Sequence, residues 1–382
     1  MGARRKVRFG IIGLGLMGRE FGSAIARWCH LLHDGPVPVL TGVCDTNPKM
    51  QCWFTESFPG LPIVTSNYED LLGSSQVDAI YCAVPHNLHE KIYGDVIRAG
   101  KHLMGEKPFG IDRRANEAIL ADLAKKPGVF VRCSSEFPYF PAVQRFISWI
   151  REGRFGRIME VRAGFHHSSD MDVNKPINWK RIVDICGEYG CMGDLGIHTQ
   201  HVPFRMGWIP KTVYASLSKI VTTRPDGKGG TAPCLTWDNA TLSCAVDHAD
   251  GYQFPMYLET KRMAPGMTNS WYIEVDGLEA SAKFTSRDPK SFYYLLSGEK
   301  EQPWCRLDLG YSPAIPGITG SIFEFGFSDA ILQMWAAFLL ELDKGTPPIF
   351  GCVTPEETRL SHALLTAALE SHKNRSVETV RV

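Results

Sequence analysis

The 382-residue chain has no excess of charge of either sign: 41 Lys and Arg stand against 41 Asp and Glu. No global field draws it to nucleic acid or to an anionic membrane surface, so a small-molecule partner is favoured by elimination. Long hydrophobic runs are missing too. The stretch from Met334 to Leu342 is broken by Glu341 and falls far short of the ~20 apolar residues that a bilayer span needs, so no membrane association is expected. Paired cysteines are absent. Eleven Cys, an odd number, are scattered from Cys29 to Cys352 without a C-x-x-C, which is neither a disulfide framework nor a zinc-ribbon spacing. A reducing, cytoplasmic compartment fits. Arg4, Arg5 and Lys6 ahead of the apolar Phe9 to Met17 imitate a secretory leader, but Gly10, Gly13, Gly15 and Gly18 would spoil its helix and no small-residue cleavage site follows.

With 44% hydrophobic and 21% charged residues and no low-complexity tract, the composition is that of an ordinary folded protein, and its length implies two domains. From residue 7 to about 133, apolar runs at Val7 to Ile12, Val39 to Cys44, Ala79 to Val84, His102 to Met104 and Val129 to Cys133 alternate with helical stretches such as Asn87 to Ala99 and Arg113 to Lys125. That rhythm predicts βαβ units in a doubly wound parallel sheet, a Rossmann-type α/β domain over residues 1–133. Residues 134–382 change character. A helix is predicted from Pro141 to Glu152, then a strand from Ile158 to Phe165, and an irregular stretch rich in His, Asp, Asn and Pro that reaches Tyr189. A helix starting near Gly193 is expected to be disturbed at Pro203. Two-residue alternation over 211–300, with Asp276-Gly277 as a hairpin signal, predicts an α+β domain built on a largely antiparallel sheet, closed by helices at Asp329 to Leu342 and Pro355 to His372.

The first strand runs into Gly13-Leu14-Gly15-Leu16-Met17-Gly18 and then a helix. In such a loop the first glycine permits the tight turn, the second lets backbone approach a pyrophosphate, and the third allows close packing of helix on strand, while the helix N-terminus faces the anion. Asp45 ends the second strand, 27 residues after Gly18. A carboxylate there accepts hydrogen bonds from ribose hydroxyls and repels a 2′-phosphate, which favours NAD over NADP; Asp-Thr-Asn-Pro is equally good turn chemistry, so Asp45 as a turn cap stays open. Val84-Pro85-His86-Asn87-Leu88-His89 and Glu106-Lys107-Pro108 follow two further strands and are expected to border the nicotinamide half of the cofactor, with Val84, Pro85, His86, His89, Glu106 and Lys107 as contacts. Lys107, partly desolvated, is the first catalytic candidate: it can hold a substrate hydroxyl and ease removal of its proton.

In Gly193-Asp194-Leu195-Gly196-Ile197-His198-Thr199-Gln200-His201, a helix would place Asp194, His198 and His201 on one face at i, i+4 and i+7. Three readings stay open: a base (His198) with its supporting or substrate-holding carboxylate, three metal ligands, or histidines filling a structural seam. The first is preferred and no metal is expected, because no H-E-x-x-H pattern accompanies it.

These segments, together with Gly100-Lys101-His102 and Gly153-Arg154-Phe155-Gly156-Arg157-Ile158, resemble in this order the glucose-fructose oxidoreductase and inositol dehydrogenase family (Gfo/Idh/MocA). The resemblance implies a Rossmann domain plus an α/β domain with a large, mostly antiparallel open sheet, and NAD(P)-dependent oxidation or reduction of sugars, cyclitols or related polyols. It implies Lys107 as the catalytic lysine, Asp194 and His198 as substrate-side residues, and a homodimer or homotetramer formed through the exposed sheet face. This chain departs from the family pattern at Glu136-Phe137-Pro138-Tyr139, where an Asn-Arg-Arg-Phe-like segment is common, at His201, where an aspartate is common, and at Val84 in place of Thr. Substrate contacts are expected from Glu136, Tyr139, His166, His167, Trp179, Lys180, Asp194, His198 and His201, with Asp170 and Arg181 nearby; Lys180 and Arg181 can also receive an anionic group. The alternative is an NAD-dependent glycosidase that oxidises, eliminates, hydrates and re-reduces, with Tyr139, His166, His167 or His201 as its extra acid or base. A non-enzymatic NAD sensor on the same scaffold has no need of Lys107, Asp194 and His198 together.

Overall fold

The computed structural model describes residues 4–298, 300–345 and 350–382. The chain sorts into two compact units: Met1–Gly110, Arg114–Tyr139 and Tyr311–Pro355 in the first, Ile111–Arg113, Phe140–Gly310 and Glu356–Val382 in the second.

In the first unit, β1 (Lys6–Ile12), β2 (Val37–Cys44), β3 (Ile63–Thr65), β4 (Ala79–Cys82), β5 (His102–Gly105) and β6 (Val131–Cys133) form one parallel sheet in the order β3-β2-β1-β4-β5-β6. The order reverses at β1, so loops leaving β1 and β4 diverge and leave a crevice at the carboxyl edge of the sheet. The apolar runs named from the sequence are these strands, with the three-residue β3 as an addition. Phe9 to Met17, the leader-like stretch, supplies β1 and the first turn of the helix Leu16–Ala26.

Residues 134–139 and 311–355 lie in this unit, which moves the boundary away from the expected cut at 133/134. The reason is the helix Phe327–Lys344, buried at every position from Ala330 to Glu341. A helix apolar all round must be enclosed, and here the Rossmann sheet and first helix enclose it. Trp335 stacks on Phe21 with ring centroids 3.6 Å apart and meets Tyr81 edge-on at 4.9 Å and Phe9 at 5.8 Å. Ion pairs of Arg27 with Asp329, Arg5 with Asp343 and Arg132 with Glu341 fix its rotation.

The second unit holds β7 (Ile158–His166), β8 (Pro210–Ser218), the small hairpin β9 (Thr223–Pro225) and β10 (Thr231–Pro233), β11 (Asn239–Asp247), β12 (Gln253–Lys261), β13 (Ser270–Gly277), β14 (Ala280–Thr285), β15 (Ser291–Leu296), β16 (Cys305–Asp308) and β17 (Glu378–Thr379). Nine of them form a sheet ordered β16-β15-β14-β13-β7-β12-β11-β8-β17, in which β7 and β12 make the one parallel pair. The Asp276-Gly277 hairpin is present, pairing Asp276 with Ser281 and Tyr272 with Thr285. Helices Pro141–Arg151 and Cys191–Arg205 cover one face, taking the apolar member of each alternating pair such as Val161, Met256 and Ile273. The helix Cys191–Arg205 runs through Pro203 without a break, the ring forfeiting only its own backbone donor two residues before the helix ends.

His201 is wholly buried in that helix and its Nδ1 lies 2.8 Å from Glu357 Oε1, while Arg205 Nη2 donates to Glu357 Oε2 at 2.6 Å. This corrects the expectation that His201 shares a substrate-binding face with Asp194 and His198; it fastens the helix Pro355–Asn374. Burial alone would push the Glu357 carboxyl up, but the charges and hydrogen bonds of His201 and Arg205 more than reverse this and hold it at about 2. A carboxyl depressed on folding stabilises above its unfolded value and loses that contribution as pH falls through the folded one.

Two outcomes follow for chemical denaturation. Trp335→Ala should cost about 3–5 kcal/mol in the transition of the first unit, as for other buried aromatics truncated to Ala. Glu357→Gln should cost about 3 kcal/mol at neutral pH, with the gap to wild type closing between the ordinary carboxylate range and pH of about 2.

Candidate active site

At the carboxyl edge of the first sheet the backbone itself sets the geometry. Gly13 has φ of 91°, and a methyl group there would stand 2.3 Å from the Ala83 carbonyl oxygen; one on Gly18 would stand 2.3 Å from the Gly13 carbonyl oxygen. Any side chain would force the loop away from β4 or from its own helix. A Cβ on Gly15 would meet nothing within 4 Å, so the loop opens outward there. Gly15 also caps the helix Leu16–Ala26 with no side-chain acceptor, and the first turn carries no acidic residue. Its N–H groups and positive dipole end face that opening, with Leu16 exposed and Met17 half-buried beside it.

Asp45, at the end of β2, accepts from Leu14 N–H at 2.9 Å through Oδ2 and from Asn47 N–H at 2.8 Å through Oδ1. Asp45 therefore caps its own turn and also reaches the glycine loop. A loop of backbone donors, an uncapped helix end and a carboxylate beside them match the phosphates and ribose of a dinucleotide, so these residues fit NAD.

Val84 and Pro85 are half-buried after β4, and Val84 Cγ1 borders the glycine loop, 3.3 Å from where a Gly13 Cβ would lie. His86 is buried. His89 departs from its expected role. Its Nδ1 accepts the Gly110 N–H at 3.3 Å, which leaves the proton on Nε2, 3.1 Å from the Val84 carbonyl oxygen. The ring is fully buried and stacked on Tyr93. With both nitrogens committed to backbone, His89 is a strut that fixes the ends of the fourth and fifth strands.

Glu106 is corrected in the same sense. It is buried, and its Oε1 accepts from the Tyr81 hydroxyl and Ser134 Oγ, each at 2.7 Å. Lys107, next in the chain, is half-buried at the mouth of this edge. Glu136 is buried close to both. Burial pushes its carboxyl up to about 7, the Glu106 charge adds to the effect, and Lys107 opposes it. Tyr139, expected to contact substrate, is instead buried with its hydroxyl 3.4 Å from Cys352 Sγ.

In the second unit the structure brings together a different group. Asp194, 1% exposed, receives Lys180 Nζ at 3.0 and 3.1 Å on its two oxygens and pairs with Arg262. Arg262 also faces Asp170 at 3.7 Å, and Arg181 pairs with Asp170 and Asp238. Burial lowers the Arg262 pKa, opposed by Asp170. Lys180 lies 5.6 Å from the Trp179 ring centroid and keeps part of its side chain exposed. One turn after Asp194, the His198 ring meets Phe165 edge-on at 5.3 Å, and Phe165 lies 4.6 Å from His167; Trp271 Nε1 donates to the His198 carbonyl oxygen at 2.8 Å.

His166 is excluded from this group by strand alternation, which sends neighbouring side chains to opposite faces. Its Nε2 lies 3.2 Å from Glu259 Oε2, which also accepts from Tyr272 at 2.8 Å. The Glu259 carboxyl is held far below its usual range by the nearby His166 ring and then by hydrogen bonds from Lys261 and Tyr272. Among the described residues no cluster of three or more His, Cys, Asp or Glu is arranged to hold a metal, and no helix is long and apolar enough to cross a membrane. Sequence reasoning missed Arg262, whose only signal is a cation immediately after a strand, and Glu259.

Residues 7–134 match the family model of the Gfo/Idh/MocA oxidoreductases, described as oxidoreductase family, NAD-binding Rossmann fold. Levoglucosan dehydrogenase of Pseudarthrobacter phenanthrenivorans is 26% identical over 290 residues, 73% of this chain and 74% of that protein. The dTDP-3,4-didehydro-2,6-dideoxy-alpha-D-glucose 3-reductase of Actinomadura kijaniata is 30% identical over 159 residues, 42% of this chain and 45% of that protein. Among solved structures, levoglucosan dehydrogenase in complex with NADH and levoglucosan superposes with a TM-score of 0.86 at 22% identity, covering 99% of this chain and 100% of that one. An NAD binding oxidoreductase from Klebsiella pneumoniae gives 0.87 at 24% identity, covering 100% of both. The likeness to these structures shows the two-domain fold. With the glycine loop and Asp45 in place, residues 7–134 are an NAD-binding Rossmann domain, matching over that span the model of the Gfo/Idh/MocA oxidoreductases.

Proposed function

We propose that the protein is an NAD-dependent dehydrogenase acting on a secondary hydroxyl of a sugar, cyclitol or sugar derivative. What carries the reading is the convergence, at one sheet edge, of the glycine loop, Asp45, the Val84-Pro85 turn and a half-buried Lys107. Parallel strands all end on the same side, so these groups share the place where open α/β sheets take their ligands. Bound there, NAD supplies an acceptor for hydride from the substrate carbon. Lys107 holds the reacting hydroxyl and draws its proton. Asp194, ion-paired with Lys180 and Arg262, and His198, edge-on to Phe165, are the second unit's candidate groups for substrate hydroxyls, with Trp179 as a stacking face. Lys180 can also receive an anionic group on the sugar.

The names of several relatives point to the substrate class, among them levoglucosan dehydrogenase and 1,5-anhydro-D-fructose reductase of Ensifer adhaerens. The comparisons lend the redox-neutral glycosidase alternative no support. Of its candidate acids, Tyr139 and His201 are buried with committed partners and His166 faces the opposite side of its sheet. All eleven cysteines are free thiols, in keeping with a cytoplasmic location. We assign a homodimer or homotetramer contact to the sheet face that bears Tyr214 and Arg162.

Incubation of the protein and NAD with free sugars, sugar acids and aryl glycosides should yield NADH in step with ketone and release no aglycone; aglycone release without NADH would overturn the dehydrogenase reading. Lys107→Ala should lower turnover by roughly a hundredfold or more while NAD affinity, read by fluorescence titration, stays within a few-fold. Asp45→Ala should weaken NAD by about tenfold to a hundredfold, the worth of charged hydrogen bonds, and reduce the preference over NADP. Asp45→Asn, whose single amide oxygen keeps either the Leu14 or the Asn47 N–H bond and loses the charge, should relax coenzyme preference as far as Asp45→Ala while weakening NAD less.

A further inference from the structure

We propose that Glu136 is the proton partner of Lys107, a positioning residue that takes up a proton from the lysine so that its amine can receive the one leaving the substrate hydroxyl. The inference rests on the Lys107 reading above and deepens it.

The geometry begins with the sheet. β5 and β6 are parallel neighbours with Gly105 opposite Cys133. Past their ends the two segments stay joined: Ser134 N–H donates to the Gly105 carbonyl oxygen at 3.0 Å, and Ser134 Oγ donates to Glu106 Oε1 at 2.7 Å. Glu106-Lys107 and Ser134-Ser135-Glu136 therefore leave the sheet side by side. Glu136 senses the charges of both Glu106 and Lys107, and the two carboxylates are not equivalent. Glu106 is committed to the Tyr81 and Ser134 hydroxyls, which donate to it and hold it as an acceptor. Glu136 is 5% exposed and feels the Glu106 charge on one side and Lys107 on the other.

The titratable groups around Glu136 come from each neighbouring element. The turn after β5 brings Glu106 and Lys107, and β4 brings Tyr81, whose phenol feels the charges of both carboxylates. Tyr139 and Cys352 lie close by, engaged with one another, while the helix Phe327–Lys344 contributes Phe327 against Phe137. In this setting burial and a like charge raise the carboxyl to about 7, which narrows the gap to an amine. A proton then passes from the ammonium to this carboxylate more readily than to an ordinary one. In the oxidising direction the O–H bond breaks and an N–H bond forms at Lys107 Nζ. The C–H hydrogen leaves with its electron pair to the oxidised nicotinamide, and the carboxyl later gives one proton to water, so alcohol and NAD become ketone, NADH and a proton.

The test uses the full-length protein with Glu136→Gln, Glu136→Asp and Lys107→Met. Infrared difference titration of the coenzyme-free protein should show a carboxyl titrating near pH 7 that is missing from Glu136→Gln. With the best substrate from the sugar panel, kcat/KM for oxidation should rise through neutrality in wild type. In Glu136→Gln that limb should vanish and the rate fall roughly tenfold or more, with NAD affinity by fluorescence unchanged; Glu136→Asp should restore a limb at a displaced pH. A Glu136→Gln profile superimposed on wild type, or a carboxyl signal that persists in it, overturns the proposal. If Glu136→Gln does not fold, wild type decides: no carboxyl titrating between about pH 6 and 8 overturns the proposal, and one that Glu136→Asp displaces supports it. An inactive Lys107→Met beside an unaltered Glu136→Gln profile removes Glu136 alone, whereas an active Lys107→Met removes the lysine reading with it.

Discussion

Everything at the coenzyme edge depends on how closely the backbone of one strand end can approach another. Gly13 lies against the Ala83 carbonyl and Gly18 against Gly13, distances that leave no volume for even one carbon. The same compression brings Asp45 to the Leu14 amide. Because the strand ends are so near, His89 can span them with a single imidazole and Ser134 can reach Glu106. Interiors of this density transmit displacement instead of absorbing it, so the positions of Val84, Lys107 and Glu136 are set by sheet packing rather than by local loop preference.

The second unit uses a different device. Its long connection between β7 and the helix Cys191–Arg205 has little apolar surface to bury, yet it places Trp179 and Lys180. Buried charge does the ordering: Arg181 with Asp170 and Asp238, Arg262 with Asp194, and Arg224 with the carbonyl oxygens of Asp170 and Asp172. Such pairs recover their desolvation only when geometry and hydrogen bonding are good, and removal of one partner strands the other. The loop is thereby held in one conformation without a hydrophobic core of its own.

Much of this was legible in the sequence, for identifiable reasons. Period-two and period-3.6 patterns survive in individual segments, so the βαβ rhythm, the Asp276-Gly277 hairpin and both final helices were readable. The glycine loop was readable because it is contiguous and its chemistry is local. What escaped is non-local. Nothing in Phe327–Lys344 says which sheet it will cover, so its return to the first unit was invisible. The parity of a strand cannot be fixed from its own residues, and His166 and His167 therefore looked equivalent although one faces Glu259 and the other lies beside Phe165. His89, His201 and Tyr139 looked like site residues because a polar side chain near a motif resembles a ligand until its buried partner is known.

The placement of Trp335 bears on biogenesis. Phe21 and Tyr81 leave the ribosome early, while the tryptophan that seals them emerges more than 250 residues later. The nascent Rossmann half must wait, with an uncovered aromatic surface, until Phe140–Gly310 of the second unit has been translated. Its coenzyme edge is complete in covalent terms well before its core can close, which makes the interval of synthesis between them the period in which this chain most needs a chaperone.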